Sequence, residues 1–156
     1  MPQARDQSFG LIDNRFLSGS LGLLDPQPPL TILQEQKIED AIRLLQEHRI
    51  GSVAIVDLSG RLQGIFTERD VLLKVVLQPF DPAKTPISRV MTANPQTATM
   101  TTTVAFALNM MSHGGYRHLP IVDEDQVPIG IVSVKDIVDY LARAVTKDLQ
   151  AFGMKV

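Results

Sequence analysis

The sequence predicts an α/β (α+β) fold in which one strand-helix-strand-strand-helix unit is used twice. Two observations lead there. The chain aligns with itself at an offset of 66 residues without a gap. Pro29 falls on Pro95, Thr31 on Thr97, Ala41 on Ala107, Ile55-Val56-Asp57 on Ile121-Val122-Asp123, Gly64-Ile65 on Gly130-Ile131 and Asp70 on Asp136. Within each half the hydrophobic spacing also changes from helical to strand-like in the same order. One offset kept across a proline, a helix, a strand and a loop marks an internal duplication.

The elements follow in turn. An extended stretch opens at Thr31 in one half and at Thr97 in the other. A helix comes next, because Ile38, Ala41, Ile42 and Leu45 stand at i, i+3, i+4 and i+7 and make one apolar stripe; Val104, Ala107, Leu108 and Met111 repeat it. Two strands follow. Residues 52–56 and 62–66 flank a turn at Asp57-Leu58-Ser59-Gly60, and residues 118–122 and 127–132 flank one at Asp123-Glu124-Asp125. The last helix starts near Thr67 or Ser133 and carries Val71, Leu72 and Val75, or Ile137, Val138 and Leu141. Gly114-Gly115 reads as a helix C-cap and Met110-Met111 as core packing. Pro79, Pro82 and Pro86 mark a linker. The chain thus divides into an arm (1–17), a first repeat (18–78), the linker (79–86), a second repeat (87–145) and a tail (146–156) that extends the last helix and frays near Gly153.

Bulk properties narrow the function. Each half would be marginal alone, because a small domain buries too little surface, whereas two packed together are comfortable at 156 residues. A net charge of −2 with both signs interspersed offers no basic face for duplex nucleic acid. No apolar run approaches the roughly 18–20 residues of a membrane span. No signal-peptide pattern opens the chain, so a cytoplasmic protein is expected. The absence of cysteine removes disulfides, thiolate ligands and a cysteine nucleophile. His113 and His118 flank Gly114-Gly115 with no carboxylate cluster beside them, so no metal site is expected. No nucleophile–base arrangement stands out, and neither an enzyme nor a catalytic cofactor is expected.

The chemistry concentrates in Gly64-Ile65-Phe66-Thr67-Glu68-Arg69-Asp70 and its twin Gly130-Ile131-Val132-Ser133-Val134-Lys135-Asp136. Both read Gly-apolar-x-(Thr/Ser)-x-x-Asp at a strand-to-helix junction. A hydroxyl followed three residues later by a carboxylate is close to a capping box, and capping alone accounts for the pattern. The same groups also suit a ligand. A helix start attracts phosphate, the hydroxyl adds a hydrogen bond, and a rigid carboxylate accepts from a ribose diol. Gly64 and Gly130 would admit close approach, and Ile65 and Ile131 offer apolar walls for a base. Capping and binding are compatible. Arg69, Arg117, Lys135 and His118 could each reach a phosphate. Arg69 and Lys135 stand in the first turn of their helices, where a bound anion or plain solvent exposure accounts for a cation, exposure the more readily.

The doubled order and its closing motifs resemble the CBS-domain family, two copies of which form a Bateman module. The resemblance covers about residues 18–145. Tyr116-Arg117-His118-Leu119-Pro120-Ile121-Val122-Asp123 is similar to the family's second-strand signature. Gly51-Ser52-Val53-Ala54-Ile55-Val56-Asp57 is a plainer version, with Ala54 where proline is frequent. The resemblance implies two halves related by pseudo-twofold symmetry, with two clefts between them. Ser133 and Asp136 would share one cleft with Thr31, Ile50, Gly51 and Ser52. Thr67 and Asp70 would share the other with Thr97, Tyr116, Arg117 and His118. Both halves keep the hydroxyl–carboxylate pair, so two competent sites are open to it.

The resemblance further implies an adenosine ligand: AMP, ADP, ATP or a relative such as S-adenosylmethionine. It implies a homodimer formed through an apolar helix surface, and a ligand-sensing role read out by a regulated enzyme or transporter. The alternative is a dimerisation and interaction scaffold with vestigial pockets, in which hydroxyl and carboxylate only cap helices.

Overall fold

Each half folds around its own apolar core, and each core is capped by the segment at the start of the opposite half. The structure, a computed structural model, describes residues 14–151 and 153. Helix α1 (Asn14–Ser18) and a 3-10 turn (Leu21–Leu24) come first. Strand β1 (Thr31–Leu33), helix α2 (Ile38–His48), and strands β2 (Ser52–Val56) and β3 (Leu62–Thr67) follow. One turn of helix, α3 (Glu68–Asp70), then runs into a π turn (Val71–Val75). The second half repeats the order. A 3-10 turn (Ile87–Arg89) and strand β4 (Thr92–Ala93) lead to α4 (Val104–Gly114), β5 (His118–Val122), β6 (Pro128–Ser133) and α5 (Val134–Ala151).

The duplication reaches into fine detail. The β2–β3 ladder shifts register between Ile55 and Val56, and the β5–β6 ladder shifts at the equivalent Ile121 and Val122. The capping exchange is equally symmetric. Ile87 N–H donates to Gln36 O at 2.7 Å, and Leu21 N–H donates to Thr102 O at 2.8 Å. Isolated bridges join Lys37 to Pro86 and Ser20 to Thr103, again one pair displaced by the same offset. As a result Ile87 and Val90 are buried with Ile38, Val53, Ile55 and Phe66 of the first half. Phe16 and Leu21 are buried with Val104, Leu119, Ile121 and Ile137 of the second. The arm expected over 1–17 is therefore seated from Phe16 onward, while residues 1–13 lie outside the described residues. At the other end α5 continues to Ala151, so the described start of the expected tail is helical.

The two halves differ in their sheets, and two prolines account for it. The first half builds a four-stranded sheet in the order β1-β2-β3-β4, whereas β5 and β6 stand as a pair. The extended stretch expected at Thr97 contracts to a single bridge, Ala98 to Ile121. In the first half Ala54 N–H donates to Leu30 O at 3.1 Å as β1 joins β2. Pro120 occupies the equivalent place and has no N–H to give. Likewise Asn94 N–H bonds Gln63 O beside the β3–β4 ladder, and its equivalent is Pro28. Residues 25–30 consequently pass β6 without joining it. The edge they leave unpaired becomes one wall of a cleft.

Two predicted core positions face solvent instead. Leu72 is 67% exposed and Val138 is 54% exposed, while Val75 and Ile137 are buried. Each outlier is a direct chain neighbour of a stripe position, rotated by about 100° from it on an ideal helix, and the π turn displaces Leu72 further. No helix among the described residues is long and apolar enough to cross a membrane.

Candidate nucleotide site

Both helix starts form the capping box that the spacing suggests. Thr67 N–H and Thr67 Oγ1 each donate to Asp70 Oδ2 at 2.9 Å, and Asp70 N–H returns a bond to Thr67 Oγ1 at 3.2 Å. Ser133 N–H and Ser133 Oγ each donate to Asp136 Oδ2 at 2.7 Å, and Asp136 N–H donates to Ser133 Oγ at 3.1 Å. The cap uses only Oδ2. What each carboxylate can do beyond capping depends on its second oxygen.

There the halves part. Asp70 Oδ1 lies 2.8 Å from Lys74 Nζ, and Asp70 is only 9% exposed. Asp136 is exposed, and its Oδ1 accepts no hydrogen bond from any of the described residues. The position equivalent to Lys74 is Tyr140, whose ring stacks on Phe16 at 5.1 Å between centroids.

Asp136 opens into a cleft of about 870 Å³ between the halves, within the range of small-molecule sites. The first turn of α5 forms one end, with Ser133, Lys135 and Asp136. Ile131 and Val132 of β6 face Ile50, Gly51 and Ser52, which lead into β2. The proline run Pro26, Pro28 and Pro29 supplies the third side. Three basic side chains (Arg49, Arg117, Lys135) and three acidic ones (Asp25, Glu68, Asp136) share the rim with His118.

His118 is the best-defended titratable group of the site. A Cβ placed on Gly51 would sit 2.7 Å from His118 Nε2, so only glycine leaves room for the ring against that backbone. Burial pushes the imidazole below its ordinary value; the negative charges of Glu68 and Asp136 oppose that shift, and Arg117 adds to it.

Of the residues expected around Asp136, the structure brings together Ile50, Gly51, Ser52, Ile131 and Ser133. Thr31 is exposed on β1 opposite Ala54, and it is Leu30, one residue earlier, that reaches the cleft. Arg117 and His118 were expected beside Thr67 and Asp70, but they line the Asp136 cleft. The reason is the hairpin register: His118 pairs with Ser133 across β5–β6, which fixes both at the mouth of α5. Thr97 and Tyr116 stay apart from this cleft, and Tyr116 Oη donates to Gln96 Oε1 at 2.5 Å. Ile65 is buried opposite Ala54 and does not line the Asp136 cleft. The space over Gly130 is held by Pro26, whose Cβ lies 3.0 Å from where a Cβ would stand.

Sequence reasoning missed Arg49, Glu68 and the 25–30 run. Arg49 was within reach: the offset places it on Gly115, and both are left-handed C-caps, at φ 51° and 69°.

Comparisons with known proteins identify the family and the fold. A family model described as CBS domain matches residues 24–77 and 87–143. The CBS domain-containing protein CBSCBSPB3 of Arabidopsis thaliana is 32% identical over 120 residues, or 77% of this chain and 20% of that protein. The chain spans less than two thirds of the length of the first such curated relatives. A putative signal-transduction protein with CBS domains from Burkholderia ambifaria is 30% identical with a TM-score of 0.71, covering 79% of this chain and 93% of that one. The CBS domain pair of protein MJ0100, solved in complex with 5′-methylthioadenosine and S-adenosyl-L-methionine, is 28% identical. Its TM-score is 0.71, over 80% of this chain and 96% of that one. With a repeat matched in each half and the fold shared along most of its length, the chain belongs to the CBS domain family.

Proposed function

We propose that the chain is a non-catalytic regulatory module that binds an adenine nucleotide, or a related adenosine compound, in the cleft at Asp136. A separate protein, a regulated enzyme or a transporter, reads the ligand-dependent change. One observation carries this reading: Asp136 keeps Oδ2 in the helix cap and leaves Oδ1 unengaged, facing an open cleft at a helix start. A carboxylate held this way can accept from both ribose hydroxyls without losing its structural bonds. The N–H groups at the head of α5 and the Ser133 hydroxyl suit a phosphoryl group. Ile50 and Ile131 offer apolar surface to a base. The adenosine compounds bound by the MJ0100 pair support the ligand class. Arg49, Arg117 and Lys135 favour a phosphorylated member of it.

A ligand can act as a signal only if it binds two conformations unequally. The apolar side chains left exposed on helices, Leu72, Leu73, Phe106 and Val138, support a homodimer, which sedimentation equilibrium would read directly. The scaffold alternative draws on a different fact, that both capping boxes are completed by the chain's own groups.

Thermal shift decides between them. AMP, ADP, ATP or S-adenosylmethionine at 100 times its Kd should stabilise the chain by about 2.7 kcal/mol. A melting temperature unmoved by all four at millimolar concentration leaves the scaffold.

The pH dependence follows from His118. Its folded value lies below the ordinary 6.5, so the unfolded chain takes the proton first and stability falls as pH drops below 6.5. A phosphoryl group beside the ring favours the charged form. Nucleotide binding should therefore take up protons near pH 6.5, measurable by calorimetry in buffers of different ionisation heat. The His118→Gln variant should show less uptake, a difference that cancels the phosphate's own titration. Equal uptake in both would remove His118 from the phosphate site.

A further inference from the structure

The offset that relates the halves also pairs their two carboxylates, and the surroundings of that pair are not equivalent. We infer that the chain takes one nucleoside per protomer, at Asp136, because Lys74 occupies at Asp70 the place that a ribose diol would need. The inference rests on the nucleoside-binding reading above and adds its stoichiometry and the residue that sets it.

Three contacts carry it. Lys74 Nζ lies 2.8 Å from Asp70 Oδ1, the oxygen left over by the cap, and 3.1 Å from Thr92 Oγ1 on β4. The ammonium thus donates to the acceptor that ribose hydroxyls would otherwise use. The equivalents of Lys74 and Thr92 are Tyr140 and Pro26, neither of which can make this bridge. Tyr140 is instead engaged with Phe16.

The second closure crosses between the halves. Arg69 Nη1 donates to Gly115 O at 3.2 Å, tying the head of α3 to the C-cap of α4. Its equivalent, Lys135, pairs with Asp139 on its own helix at 2.5 Å and ties nothing across the Asp136 cleft. The third closure is the β4 strand. Thr92 and Ala93 are held on β3, whereas the proline run passes β6 unpaired and leaves the cleft open. All three differences act in the same direction: the Asp70 site is filled by the chain's own groups.

Titration calorimetry of the full chain with AMP, repeated with S-adenosylmethionine, tests the inference. One equivalent per chain is expected for the natural protein. Asp136→Ala should lose it, with Asp136→Asn as a second variant that can keep the cap. Lys74→Ala should retain the first equivalent and gain a second, weaker one, and adding Asp70→Ala should remove that second equivalent again. Two equivalents in the natural protein would overturn the inference and leave the nucleoside-binding reading standing. So would a Lys74→Ala chain that still takes only one, whereas an Asp136→Ala chain that keeps wild-type binding would overturn both the inference and the reading of the Asp136 cleft as the nucleoside site. No binding of either probe to the natural protein would overturn both.

Discussion

Replacing Asp136 by Ala is expected to weaken nucleotide binding by at least about 100-fold while the chain stays folded. Hydrogen bonds to charged groups contribute about 1.5–3 kcal/mol each. Two from a diol to one carboxylate then amount to about 3 kcal/mol or more, which is over 100-fold in Kd. The structural cost is separate and smaller. Asp136 Oδ2 accepts the Ser133 N–H and hydroxyl at the start of α5, and losing a capping interaction costs about 1 kcal/mol. In a chain of this size that lowers Tm by about 2–4 °C. Affinity and stability therefore move by different amounts, and measuring both distinguishes a ligand grip from a cap. An Asp136→Ala protein that binds AMP within threefold of the natural one would leave the carboxylate with capping alone.

The largest stability effect is expected at Leu21. It lies far from Asp136 in sequence, in the short 3-10 turn near the start of the first repeat, yet it is 0% exposed in the core of the second half. Its neighbours there include Val104, Ala107 and Leu119, and its N–H is spent on Thr102 O. Leu21→Ala should cost about 2–5 kcal/mol, as for large-to-small changes in well-packed cores. Denaturant unfolding measures it. The twin Ile87, also 0% exposed in the first core, should respond alike. A loss below about 1 kcal/mol at both positions would mean that the exchanged segments are peripheral to stability.

Much of this structure was legible in the residues. The runs 52–56 and 118–122 are strands at the bounds the alternation suggests, and the helical stripes bury Ile38, Ala41 and Leu45, or Val104, Ala107 and Met111, as their spacing requires. Periodicity tells which side chains are buried but not what they are buried against, so the exchange of Leu21 and Ile87 was invisible to it. A self-alignment rewards sameness, so it drew attention to Asp70 and Asp136 and away from Lys74 and Tyr140, where the two sites diverge. Pro28 and Pro120 were readable as missing donors, but only once the strands that would need those donors were known. The position of His118 was closer to hand. Pairing two strands about the 123–125 turn brings it opposite Ser133, and the hairpin register was the step left untaken.

The reciprocal seating of Leu21 and Ile87 also limits how the molecule can move. Prising the halves apart would draw both side chains into water, at about 1.5–3 kcal/mol each. A rotation that keeps each in its socket avoids that cost. On the ligand-sensing reading proposed above, the change passed on is a twist of one lobe on the other. Severing the backbone between residues 79 and 84 should yield two pieces, each lacking its own stopper, that acquire structure only when mixed.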